Sequence, residues 1–112
     1  MKKTILLKTF LLFVMLSVTA PSWAITATGP TNCGGWVKDR KEGKGLAWQR
    51  EAWLAGYLSG LAIGTGIEFW NKGGNLLSPE SVFLWMDNYC QANPLKNTFD
   101  GGLDLFHEHT KK

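Results

Sequence analysis

The chain has two cysteines, Cys33 and Cys90, and their pairing constrains the fold more than any other feature. The reason lies at the start of the sequence. Residues 1–24 read MKKTILLKTFLLFVMLSVTAPSWA. Lys2, Lys3 and Lys8 make a basic start, and Phe10 to Val18 make an apolar run. Pro21 breaks it, and Ser22 and Ala24 are the small residues that precede a cleavage after Ala24. The apolar run is about half the ~20 residues a membrane span requires. It is therefore expected to be a cleaved leader, leaving no membrane span in the mature chain. Export to the periplasm places the chain where thiols oxidise. An even pair of cysteines there predicts one disulfide, Cys33–Cys90. Closing so long a loop contributes roughly 4 kcal/mol in the chain-entropy model. That is comparable to the whole stability of a domain this small.

Three of the twelve basic residues leave with the leader, and nine acidic residues remain, so the mature chain is close to neutral. Lys38, Arg40, Lys41 and Lys44 cluster, but Asp39 and Glu42 lie among them, which predicts a solvated helix face. A nucleic-acid partner is not expected. The expected organisation is a leader at 1–24, a flexible arm at 25–32 and one helical domain at 33–110.

The expected fold is all-α: three main helices plus a short N-terminal one, stapled by the disulfide. Asn32 or Thr31 caps the short helix and Gly43 stops it. A long helix starts at Leu46 and ends at Gly64 or Gly66, or runs on to Trp70. Its sequence is apolar nearly all round, which predicts a central, buried helix. NKGGN (71–75) is a turn. Ser78 caps the next helix with Pro79 at its first position, and that helix stops near Ala92 because Pro94 follows. Asn93 and Pro94 are expected to start a last helix, with Leu95, Phe99, Gly102 or Leu103, and Phe106 along one face and a frayed HEHTKK end. No segment alternates like a strand.

Within the long helix, Ala52, Gly56, Gly60 and Gly64 recur every fourth residue. The expectation is a flat, buried side, beside Tyr57, against which the Trp85–Tyr89 helix presses. Gly60→Leu is then expected to abolish folding.

No reaction chemistry stands out. In His107-Glu108-His109 the two imidazoles leave opposite sides of a helix, so no metal site is expected. Ser59 is expected to bond back to the carbonyl four residues before it, and Ser78 to cap. No serine lies in a nucleophile elbow. No catalytic residue and no cofactor are expected. Glu51 is expected to pair with Arg50 or Lys44. Asp87 is suited to accept from a tryptophan indole, or to pair with Arg40 or Arg50. It is also a candidate partner contact. Five tryptophans follow the leader: Trp36, Trp48, Trp53, Trp70 and Trp85. So small a core cannot bury them all. Trp48 and Trp70 are the candidates for docking another protein.

CGGWVKDR, WLAGYLSG and SVFLWMDNYCQANPL, in that order, resemble the small exported Rap/Tai immunity proteins of type VI secretion. The match is carried by Gly56-Tyr57 with Gly60, and by the later helix that ends at Asn93-Pro94. Ala55 stands where that family carries a cysteine. The resemblance implies a small periplasmic helical protein that docks or neutralises an exported toxin or effector. A looser similarity to Hde-type periplasmic chaperones implies the alternative: a protein, possible as a homodimer, that protects clients in acid.

Overall fold

The computed structural model describes residues 2–6, 26–43 and 45–112. The leader's apolar run and its cleavage site lie outside the described residues, as does Lys44. Four helices carry the fold: α1 (Cys33–Glu42), α2 (Leu46–Thr65), α3 (Pro79–Ala92) and α4 (Thr98–Thr110). The domain is all-α, with one small hairpin between α2 and α3.

The helix ends follow local chemistry. The Asn32 side chain accepts from the Gly35 N–H at 2.7 Å, and Gly43 ends α1 at φ 61°. Gly66 closes α2 in the same left-handed conformation. Ser78 accepts from the Ser81 N–H at 3.2 Å, and Pro79 opens α3. The turn expected at 71–75 is tighter than a plain turn. Gly73 and Gly74 both have positive φ, which lets Asn71–Lys72 pair antiparallel with Asn75–Leu76.

The helices α1 and α4 each pack against both α2 and α3. The core is Cys33 and Trp36 of α1, Leu54 and Leu58 of α2, Phe69, Val82, Met86 and Cys90 of α3, and Leu105 and Phe106 of α4. The disulfide Cys33–Cys90 staples α1 to α3 inside this core, with Cα atoms 4.8 Å apart.

Three expectations fail for physical reasons. The last helix starts at Thr98, not at Pro94. The backbone before it is used elsewhere. Lys96 C=O accepts from Cys33 N–H at 2.9 Å, and Thr98 N–H donates to Thr31 C=O at 2.9 Å. Residues 93–96 form a turn, closed by Lys96 N–H to Asn93 C=O at 3.0 Å, and the extended Asn97 becomes the cap, leaving Leu95 fully exposed. The same bonds correct the flexible arm. Thr31 is buried, its N–H donates to Thr98 Oγ1 at 3.0 Å, and the Trp53 indole donates to Thr28 C=O at 2.8 Å. From Thr28 onward the arm is tied to the domain. The end of α4 is also ordered to Thr110, because the Lys72 ammonium donates to His109 C=O at 2.9 Å at the carbonyl end of the helix.

Tyr89, stacked on Trp85, donates to Asp104 Oδ2 at 3.2 Å. Burial first, then the Asp104 charge and its hydrogen bond, push the Tyr89 pKa up to about 12. A raised folded pKa means full stabilisation below the unfolded tyrosine value of about 10, lost as pH climbs through the folded value. Stability should therefore fall between about pH 10 and about pH 12. Ultraviolet phenolate titration of wild type and Tyr89→Phe checks this: the phenol that titrates at about 12 should vanish in the variant, leaving that of Tyr57.

Candidate interaction surface

The reading of α2 as a buried central helix does not hold. Leu54 and Leu58 are fully buried, with Ala47 nearly so, all on one side. The opposite side is open. Trp48 is 65% exposed and Ile63 is 84% exposed; Ile67, just past the helix, is 46% exposed. Ala52, Gly56, Gly60 and Gly64 lie exposed on that same side.

The glycine row is thus the reverse of its expected role. A Cβ built at Gly56, Gly60 or Gly64 meets nothing within 4 Å. Among the described residues no helix presses there, since α2 packs on α1 and α4 and turns this face outward. The close approach is made on α4 instead. A Cβ at Gly102 would lie 2.8 Å from two ring carbons of Tyr57, and one at Gly101 would lie 2.7 Å from Met86 Sδ. Tyr57 packs closely, but against α4 and not against the Trp85–Tyr89 helix: its ring is stacked between Trp53 and Phe99. Burial, followed by the Asp100 charge, raises its pKa.

Each glycine inside a helix costs about 1 kcal/mol relative to alanine. Nothing within the domain offsets that at Gly56 and Gly60. Gly56→Ala should therefore stabilise the monomer by up to about 1 kcal/mol. Gly60→Leu should fold, contrary to the buried-face expectation. Urea unfolding of both variants measures this, and a lower midpoint for Gly56→Ala would show a neighbour packed on the row.

The other candidate contacts resolve differently. Trp48 is free on the surface. Trp70 is half-buried: its indole donates to Ser59 Oγ at 2.9 Å, and its ring meets Phe69 edge-on at 5.0 Å. Ser59 in turn donates to Ala55 C=O at 2.8 Å, as its helical position predicted. Trp70 therefore takes part in the domain's own packing.

Asp87 is likewise spent internally. Its Oδ1 accepts from the buried Trp36 indole at 2.7 Å and from Arg40 Nε at 3.0 Å, while Oδ2 accepts from Arg40 at 2.8 Å. Arg40 also bridges to Glu51 at 2.6 Å. One guanidinium so joins α1, α2 and α3. The hydrogen bonds to Asp87 chiefly, then those to Glu51, raise the Arg40 pKa further above its ordinary value. The indole and Arg40 partners are those the sequence suggested for Asp87. Glu51 differs: it pairs with Arg40, while Arg50 pairs with Asp39 at 3.2 Å. Asp87→Ala strands the Trp36 N–H in the core and should cost about 2–4 kcal/mol. Asp87→Asn keeps an acceptor for the indole and should cost less. Chemical denaturation of the two variants gives the comparison, and equal losses would contradict the role of the indole bond.

Among the described residues, no group of three or more His, Cys, Asp or Glu is arranged to hold a metal ion. Among the same residues, no helix is long and apolar enough to cross a membrane. Both cysteines are in the disulfide. Comparison with known protein families, with curated proteins and with solved structures returns no match.

Ile63 and Ile67 were not singled out from the sequence. Their signal was present, since Ile63 follows Gly56 by two helical turns and so shares its side. It was masked because the Leu54, Leu58 and Leu61 side is equally apolar. Phe69 was missed as core because it lies past the helix, where no periodicity marks it.

Proposed function

We propose that this protein is a small periplasmic binding domain of immunity-protein type, whose outward face of α2 docks and neutralises an exported toxin or effector. The observation that carries this reading is that face: uncharged from Ala52 to Ile67, exposed, edged by Trp48, and lined by glycines that serve no packing inside the domain. A row of small residues admits a partner backbone closely, and an exposed tryptophan at its edge is a typical anchor. The disulfide is compatible with an oxidising compartment. The order of the CGGW, GYLSG and NYCQANP segments adds the resemblance to Rap/Tai proteins.

The test is capture from periplasmic extract with tagged wild type, Gly60→Leu and Trp48→Ala, followed by reconstitution of the purified pair. A stoichiometric complex with wild type that fails with Gly60→Leu supports the reading. No complex, or equal binding by all three, rejects it.

One observation favours a second reading, an acid-stress chaperone. Arg40 holds three helices together through two carboxylates, Asp87 and Glu51. A chaperone triggered at about pH 2–3 needs a charge-held junction of this kind, one that acid can loosen. Suppression of client aggregation at that pH, and not at neutral pH, is the expected signature. Failure to suppress in acid would eliminate it.

A further inference from the structure

A cavity of about 310 Å³ opens between α3 and α4, beside Leu77 where the chain leaves the hairpin. Two core residues line it: Val82 of α3 is 1% exposed and Leu105 of α4 is 6% exposed. Half-buried Leu77, Trp85 and His109 surround them, and exposed Glu108 completes the lining toward solvent. The register of the helices brings these groups together. The Tyr89 hydroxyl donates to Asp104 at 3.2 Å. One turn back along α3 and one turn on along α4, Trp85 and Glu108 line the same cavity, so the two helices run antiparallel. We propose that this cavity binds a small organic cation, an ammonium group carried on an apolar body.

Three observations select that chemistry. The first is the apolar lining of Leu77, Val82 and Leu105, which suits a ligand with an apolar body. The volume lies near the small end of ligand sites, roughly 300 Å³, and so suits a single ring or a short chain. The second is charge. Glu108 lines the cavity, and among the described residues no Lys or Arg pairs with it. Asp104, one turn earlier on α4, adds a second negative charge. The Lys72 ammonium is held on the carbonyls of His109 and Lys111 at the helix end. Lys111 and Lys112 lie past α4, and none of these three lysines lines the cavity. The third is Trp85. The indoles of Trp36, Trp53 and Trp70 each donate within the domain. That of Trp85 makes no hydrogen bond among the described residues. Tyr89 stacks on its ring at 5.2 Å, and the rest of the ring lines the cavity. An ammonium beside a carboxylate and an indole gains both ion pairing and cation–π attraction, while its apolar body covers Val82 and Leu105. A neutral ligand gains the burial alone, and an anion is repelled by Glu108.

The test is titration of the purified, disulfide-bonded protein with 2-phenylethylammonium, beside its uncharged and anionic isosteres 2-phenylethanol and phenylacetate. Calorimetry and the nuclear magnetic resonance signals of the indole N–H groups are the readouts. The ammonium should saturate with Kd below about 1 mM, at least about tenfold tighter than either isostere. It should shift the Trp85 indole signal and leave that of Trp36, on α1, in place. Glu108 is exposed, so Glu108→Gln leaves the core intact. That variant should keep its helical circular dichroism, bind the ammonium at least about tenfold more weakly, and bind the alcohol as wild type does. Gly60→Leu, on the outward face of α2, should bind the ammonium as wild type does, which separates this cavity from the docking surface. No saturation up to about 20 mM overturns the proposal. Equal affinity for the three probes, wild-type ammonium binding by Glu108→Gln, or loss of binding in Gly60→Leu overturns it as well.

Discussion

Gly102→Leu is expected to leave no folded protein, while Gly60→Leu on the facing helix is tolerated. The added Cβ at Gly102 would already stand 2.8 Å from Tyr57 Cδ1 and Cε1 and 3.3 Å from Leu54 Cδ1. Tyr57 has nowhere to yield, because Trp53 and Phe99 stack on its two sides with centroids 5.0 and 5.2 Å away. Gly102→Ala isolates the first step of the effect. Helix propensity alone would favour alanine by about 1 kcal/mol. Overpacking of a filled core costs about 1–3 kcal/mol, so the net change is expected to be destabilising. Gly101→Ala should cost less, because its nearest neighbour is the flexible thioether of Met86, although a Tyr89 ring carbon stands at 2.8 Å. Urea unfolding midpoints order the variants. A raised midpoint for Gly102→Ala would disprove the close contact between α4 and α2.

Loss of the disulfide is expected to be as damaging. Cys33 and Cys90 are 57 positions apart, and closing that loop is worth roughly 4 kcal/mol in the chain-entropy model. For a domain of this size, a loss of that order corresponds to a drop in melting temperature of about 20 °C. The Cys33→Ala/Cys90→Ala pair also removes two buried sulfurs from the centre of the core. Because the bond is fully covered, thiol reductants should act slowly on the folded protein and quickly once urea opens it. Thermal melts with and without reductant, and of the double variant, measure both effects. A melting temperature unchanged by the double substitution would show that the loop constraint contributes little.

The helices were legible because their ends are written in short-range chemistry. Asn32, Gly43, Ser78 with Pro79, and Ala92 before Asn93-Pro94 mark their boundaries by capping and backbone restriction within a few residues. The start of α4 was not legible from Pro94, although Pro94 is well suited to a first helical position. A long-range pairing of residues 96–98 with Thr31 and Cys33 overrides it. The small hairpin was visible only as a turn, since two-residue strands leave no alternation to read.

The candidate site was half legible, for a related reason. Asp87 pointed to its kinds of partner, a tryptophan indole and Arg40 or Arg50, because a carboxylate on an aromatic-rich helix must be satisfied; the fold selects Trp36 and Arg40. Trp48 stood out because a core this small cannot hold five tryptophans. The sense of the glycine row could not be read. A small-residue row serves equally for packing within a domain and for packing between molecules.

The sequence by itself determined the all-helical class, the disulfide and most helix termini, since propensity, capping and cysteine parity act locally or by count. Only the tertiary structure decided which side of α2 faces the core. Both sides are apolar, and the choice falls to the side whose leucines α1 and α4 can cover. That choice moved the close contact from Gly60 to Gly102 and left Gly56, Gly60 and Gly64 open to the outside.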